Sequence, residues 1–168
     1  MVVWLIGLSG SGKTTLAKKI VAGANKKLKN TVLVDGDIIR EVFGNDLGYS
    51  MDDRLLNAQR ICQIGKFLDE QGFNVVCAIL SLFPETRDWN RDNIKDYYEV
   101  FIDVPIDILV DRDSKGIYAK YIKAEISDVA GMDIHFPVPE RADLVIDNSK
   151  SKDDLLAYSD SIIEKILQ

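Results

Sequence analysis

The 168-residue chain lacks several things that would direct it to particular chemistries. It has one histidine, His135, which cannot make a His-based metal site, and no nearby Ser or Cys pattern suggests a catalytic triad. Its two cysteines, Cys62 and Cys77, have no metal-like spacing and give no disulfide framework. They read as small buried hydrophobes of a protein in the reducing cytoplasm. Positive charge is not in excess: 27 Asp+Glu against 21 Lys+Arg give a net charge of -6. That argues against a nucleic-acid partner, which needs a basic face, but leaves room for a small basic pocket. No apolar run is long enough to span a membrane, so no membrane partner is expected. The segment "MVVWLIG" has no basic residues ahead of its apolar ones and does not read as a signal peptide. Repeats, linkers and low-complexity segments are also missing. With 46% hydrophobic residues, the chain can fill one sizeable core, and residues 1–168 are expected to form a single domain.

Five runs read as strands: 2–6, 31–35, 74–80, 99–104 and 143–147. Most are continuously apolar rather than alternating, as strands covered on both faces are. Helical patterns lie between them: one after Lys13, one over 38–43, one from about Asp52 to Gln71 and one from about Glu85 to Lys95. A last helix starts at Ser151, whose hydroxyl offers an N-cap, and runs through Leu155, Tyr158, Ile162 and Ile166. Alternating strands and helices imply parallel crossovers, hence an α/β fold with a central parallel sheet flanked by helices. Residues 113–138 show no strong period and read as a lid or long loop.

"GLSGSGKT", residues 7–14, fits the P-loop pattern G-x-x-x-x-G-K-[ST], with a strand before it and a helix after it. Gly7, Ser9, Gly10, Ser11, Gly12 and Thr15 belong to the expected phosphate cradle. Its backbone amides and the positive end of the helix dipole attract phosphate oxygens. Lys13 would reach the β- and γ-phosphates, and Thr14 would ligate Mg²⁺. Two rival motifs fail, because Ser11 and Thr15 stand where G-x-S-x-G and G-x-G-x-x-G need glycine. A guanine-reading N-K-x-D segment is missing too, which favours a small-molecule kinase over a GTPase switch.

In a parallel sheet, ligands bind beyond the carboxyl ends of the strands. "VDGD" ends the second strand, so Asp35 and Asp37 should face the same crevice as the P-loop. One carboxylate can accept the proton of an attacking hydroxyl, and one can hold Mg²⁺ or its waters. Against this stands ordinary turn chemistry: Asp37 could cap the helix at 38–43, whereas Asp35, the last residue of a strand, has no capping task. Arg40 lies one helical turn past Asp37, and Arg54, Asn57 and Arg60 are spaced three apart on the next helix. Arginines that fork onto oxyanions suggest an anionic acceptor. Tyr49 could stack on a base, although an isolated aromatic is more often core.

Taken in order, "GLSGSGKTTLA", "DGDIIR", "NDLGYSMDDRLLNAQR", "IDVP", "RDSKGIYAK" and "ADLVIDN" resemble the adenylylsulfate (APS) kinase family along nearly the whole chain. The resemblance implies a P-loop kinase fold. It also implies transfer of the γ-phosphate of ATP, with Mg²⁺, to the ribose 3′-hydroxyl of a 5′-activated nucleotide. It implies acceptor contacts for Arg40, Arg54 and Asn57, base stacking for Tyr49, a lid role for Lys115, and a place for Arg112 near the ATP adenine. A homodimer is expected by the same analogy. The departures from the family concern the acceptor. Val129, in "DVAGMDIHF", stands where the family has a phenylalanine that forms the second wall around the adenine. Loss of one aromatic face removes about 1–3 kcal/mol of stacking. "LSLFPETRDWNR" replaces the family's "ISPYR" segment, and Ser81 reads as a polar strand end rather than a phosphoserine site. These features resemble a divergent branch linked to bacterial surface polysaccharides, which includes cytidine diphosphoramidate kinase. A smaller pyrimidine needs less aromatic surface, so APS and cytidine diphosphoramidate both stand as acceptors. Two other readings are a catalytically silent nucleotide-binding module and a P-loop kinase of a neutral small molecule.

Overall fold

All five apolar runs become strands in a computed structural model that describes residues 1–113 and 115–168. They are β1 (Val2–Ile6), β2 (Thr31–Asp35), β3 (Asn74–Ile79), β4 (Tyr97–Asp103) and β5 (Leu144–Asp147). The sheet is parallel throughout, in the order β2-β3-β1-β4-β5. The central strand explains the continuous hydrophobicity. Val3 and Leu5 of β1 pack into one layer with Leu16, Ile20 and Leu155, while Val2, Trp4 and Ile6 pack into the opposite layer with Ile61 and Cys62. Every residue of β1 is buried, because both faces of the strand are roofed.

Helices α1 (Lys13–Ala24), α2 (Gly36–Val42), α3 (Met51–Glu70) and α4 (Pro84–Asn93) match the sequence reading to within a few residues. Both cysteines are buried and unpaired, as expected. Burial raises both thiols, Cys62 to about 12, which makes them poor nucleophiles.

Three regions differ from expectation. Helix α5 (Ile106–Arg112) follows β4 directly; it is only seven residues long, too short for a helical period to stand out. The lid at 113–138 is not structureless: it holds α6 (Ile117–Ile122), whose Tyr118 is buried in the core. Ser114, inside that lid, lies outside the described residues. The C-terminal helix is split into α7 (Lys152–Ala157) and α8 (Ser159–Ile166). At the break, the hydroxyl of Ser159 donates to the Leu156 carbonyl, and the Ile162 amide reaches Tyr158 only at 3.4 Å. A serine bonded back to the preceding turn competes with the regular ladder in this way. The expected cap at Ser151 is present as a full capping box with Asp154.

Helix α7 matters to the site because Leu155 seats the loop at residues 7–12. A Cβ at Gly12, whose φ is +101°, would come within 2.5 Å of the Leu155 side chain. Leu155→Ala is expected to lower the unfolding free energy by about 2–5 kcal/mol, the usual range for a buried leucine. Urea unfolding measures this, and a loss under about 1 kcal/mol would contradict the packing role.

Candidate active site

The loop at residues 7–12 leaves the central strand and enters α1, so it and the first turn of the helix border the crevice over the sheet. Its shape is fixed from outside. The Asn148 side-chain amide donates to the Ser11 carbonyl at 2.9 Å, and the Tyr118 hydroxyl donates to the Ser9 carbonyl at 2.9 Å. A Cβ at Gly7 would meet Ser11 Oγ at 2.6 Å and the Ile102 carbonyl at 2.7 Å, so only glycine fits there. Lys13 folds over the loop and donates to the Leu8 carbonyl at 2.7 Å. Desolvation in the loop, reinforced by nearby Lys115, lowers its pKa to about 7, with Asp35 and Asp37 opposing the shift.

The end of β2 supplies the acidic side. Asp35 accepts a hydrogen bond on each carboxylate oxygen: from the Thr14 hydroxyl at 2.8 Å and from the Asp37 amide at 3.0 Å. The expectation that Asp35 has no capping task is therefore corrected: it is the N-cap of α2, and Asp37 sits in the first turn. Capping and crevice are compatible because the two oxygens serve different partners. Asp37 also lines the crevice and pairs with Lys115 of the lid at 2.8 Å.

A cavity of about 740 Å³ connects these groups, running from Lys13 and Asp35 to Tyr49, Lys115 and Val129. Ser9, Gly10, Gly12, Thr14 and Thr15 also line it. A second cavity, of about 130 Å³, adjoins it between α2, α3 and residues 79–83, with Arg40, Asn57 and Ser81 on its wall. Arg40 is buried and donates to the Gly48 carbonyl at 2.7 Å. Arg54 holds the Tyr49 carbonyl and, across to the lid, the Asp128 carbonyl, both at 2.8 Å. Tyr49 is not core: it is 63% exposed, and both guanidinium groups lie against its ring, at 4.8 and 5.5 Å from the centroid. Buried Asn57 has a side-chain oxygen with no partner.

Not every candidate joins the cavity. Arg60 forks onto Asp46 at 2.7 and 2.8 Å and lies over Phe43. Arg112 donates to the carbonyls of Asn148 and Lys150, bracing the segment after β5 rather than lining the cavity. Val129 does line it, as a buried aliphatic side chain whose amide is held by Asp133. His135 lies on a separate cavity of about 350 Å³ with Phe101, Asp103 and Phe136. Asn148 was missed as a site residue, although its place just beyond an apolar strand is the signal that singled out Asp35.

A family model described as adenylylsulphate kinase matches residues 1–147. Cytidine diphosphoramidate kinase of Campylobacter jejuni is 40% identical over 165 residues, covering 98% of this chain and 95% of the relative. Adenylyl-sulfate kinase of Pseudomonas aeruginosa is 36% identical, covering 92% of this chain and 80% of the relative. Among solved structures, the Mycobacterium tuberculosis APS kinase CysC in complex with AMPPNP and APS superposes with a TM-score of 0.89. It is 31% identical, covering 99% of this chain and 97% of the other. A P-loop set against a carboxylate pair, in a chain with these relatives, makes the protein an ATP-dependent phosphotransferase of the adenylylsulfate kinase family.

Proposed function

We propose that the chain transfers the γ-phosphate of ATP to the ribose 3′-hydroxyl of cytidine diphosphoramidate. One observation carries the choice of acceptor: among the described lid residues that line the cavity, Val129 and Ala130 included, none is aromatic, so Tyr49 is left to stack the base without an aromatic opposite it on the lid. A pyrimidine needs less aromatic surface than adenine, and the relative at 40% identity bears that name. APS is the second reading, favoured by the close superposition on an APS kinase.

The residues divide the work between them. Lys13 and the amides of the loop bind the ATP phosphates, and the loop's rigid shape orients them for in-line attack. Asp35, buried at the base of the cavity, takes the proton from the 3′-hydroxyl. Lys115 holds Asp37 and adds positive charge on the lid side. Arg40 and Arg54 fix the acceptor's anionic 5′-group, and Asn57 offers its free oxygen to a donor there. Mg²⁺ fits the donor set: Thr14 with the Asp35/Asp37 pair gives hard oxygen ligands. No group of three or more His, Cys, Asp or Glu among the described residues could cage a metal by itself. That is the pattern of an ion that keeps its waters and binds substrate phosphates. When bound, it would neutralise charge on the transferring phosphoryl group. The unpaired buried thiols fit a cytoplasmic location, and among the described residues no helix is long and apolar enough to cross a membrane.

An acceptor panel tests this reading. Cytidine diphosphoramidate and APS, at matched concentrations with ADP release monitored, should differ by about tenfold or more in kcat/KM in favour of the cytidine nucleotide. A preference for APS would overturn the weight placed on Val129. ATP binding tests Lys13 separately. With its pKa near 7 in the free protein, Lys13 is mostly neutral at pH 8. Phosphate oxygens favour the charged form, so binding at pH 8 should take up about one proton, and the uptake should vanish near pH 6. Titration calorimetry in buffers of different ionisation enthalpy reads this directly. No proton exchange at pH 8, or net release, would contradict it.

A further inference from the structure

The wall of the smaller cavity contains a backbone conformation that needs support. Ser81, just past the end of β3, has φ +58°, a left-handed conformation that residues other than glycine seldom adopt unless the surroundings impose it. It is 4% exposed. Both of its oxygens are engaged from the interior. The guanidinium of Arg87, on α4, donates to the Ser81 carbonyl at 2.8 Å. The indole N–H of Trp4, in the central strand, donates to the Ser81 hydroxyl at 3.3 Å. A hydroxyl buried in this way is not presented to a phosphate donor.

Arg87 is itself buried, 7% exposed, and its charge is balanced from behind. Glu99 of β4, 1% exposed, lies 4.0 Å from Arg87 and 3.6 Å from Arg91, and accepts from the Tyr97 hydroxyl at 3.0 Å. Arg91 continues to Asp143 at 3.2 Å and to the carbonyl of Arg141. A buried carboxylate and two guanidinium groups are costly to assemble when a well-packed apolar set would serve stability as well. Arg91 directs its donors to the segment before β5, and Arg87 places one on the Ser81 carbonyl in the acceptor-side wall. The ATP-phosphate loop receives nothing from them: Asn148 and Tyr118 brace it instead.

We infer that Arg87, backed by Glu99, is a positioning residue for acceptor binding: by holding the Ser81 carbonyl it fixes the left-handed turn that shapes the wall facing Tyr49, Arg54 and Asn57. The inference rests on the proposed acceptor site but not on which nucleotide fills it. It explains why Ser81 can sit at a functional wall without taking part in the chemistry.

The test is the separation of the two substrates. Arg87→Met should raise the KM for the better acceptor by about tenfold or more, with the KM for ATP changed less than about twofold. Arg87→Lys, which keeps a donor and the charge, should recover most of the acceptor KM. Glu99→Gln keeps its shape, and it serves if Arg87→Met does not fold; the same split is expected at about threefold. A rise in both KM values, or in neither, overturns the inference, because a merely structural role would not distinguish the substrates. If the wild type turns over neither acceptor, the proposed acceptor reading fails. A crystal structure of Arg87→Lys beside Arg87→Met or Glu99→Gln then decides this one. Ser81 should keep its positive φ with lysine and leave it in the other variant, and an unmoved Ser81 in that variant overturns the inference.

Discussion

Everything in the crevice is referred to the Asp35 carboxylate. One oxygen holds Thr14 at the start of α1, and the other holds the Asp37 amide at the start of α2. Helices α1 and α2 follow different strands, with β3 between β1 and β2, and this pair of hydrogen bonds ties their first turns together. A carboxylate bonded on both sides has one orientation, so in the proposed reaction a bound hydroxyl would meet it in a fixed direction. That is preorganisation, and it stands before any ligand arrives.

Around that centre the chain collects positive charge that its composition does not advertise. Lys13 and Lys115 sit near each other: Lys115 disfavours the charge on Lys13, while its own charge is held by Asp37. Arg40 and Arg54 converge on one tyrosine ring. Anions favour the charged form of Lys13 and relieve the repulsion among the other three, and the substrates of a nucleotide kinase bring several. An acidic protein can therefore bind highly charged ligands, because local geometry outweighs net charge at separations well inside a Debye length.

Much of this was legible in the sequence for identifiable reasons. Strands buried on both faces must be apolar throughout, and a P-loop needs its glycines and lysine at fixed spacing, so β1 to α1 could be placed without coordinates. The dual use of Asp35 could not: a cap and a crevice ligand look alike in sequence, and only the two separate oxygens resolve them. Arg60 and Arg54 share one helical spacing, yet Asp46 turns the first outward while the carbonyls of Tyr49 and Asp128 turn the second inward. Those partners come from loops whose shape no periodicity encodes. The same holds for Asn148 and Arg87, whose work is done on backbone carbonyls, one of a distant loop and one of the turn just before α4.

The Asp35→Asn variant tests the reading most directly. Asparagine keeps the size and one of the two acceptor oxygens of the side chain but removes the charge that would take the hydroxyl proton. Turnover with the preferred acceptor should fall by about 100-fold or more, while the dissociation constant for ATP changes by less than about threefold. Turnover within about twofold of wild type would contradict the place given to Asp35 at the centre of the reaction.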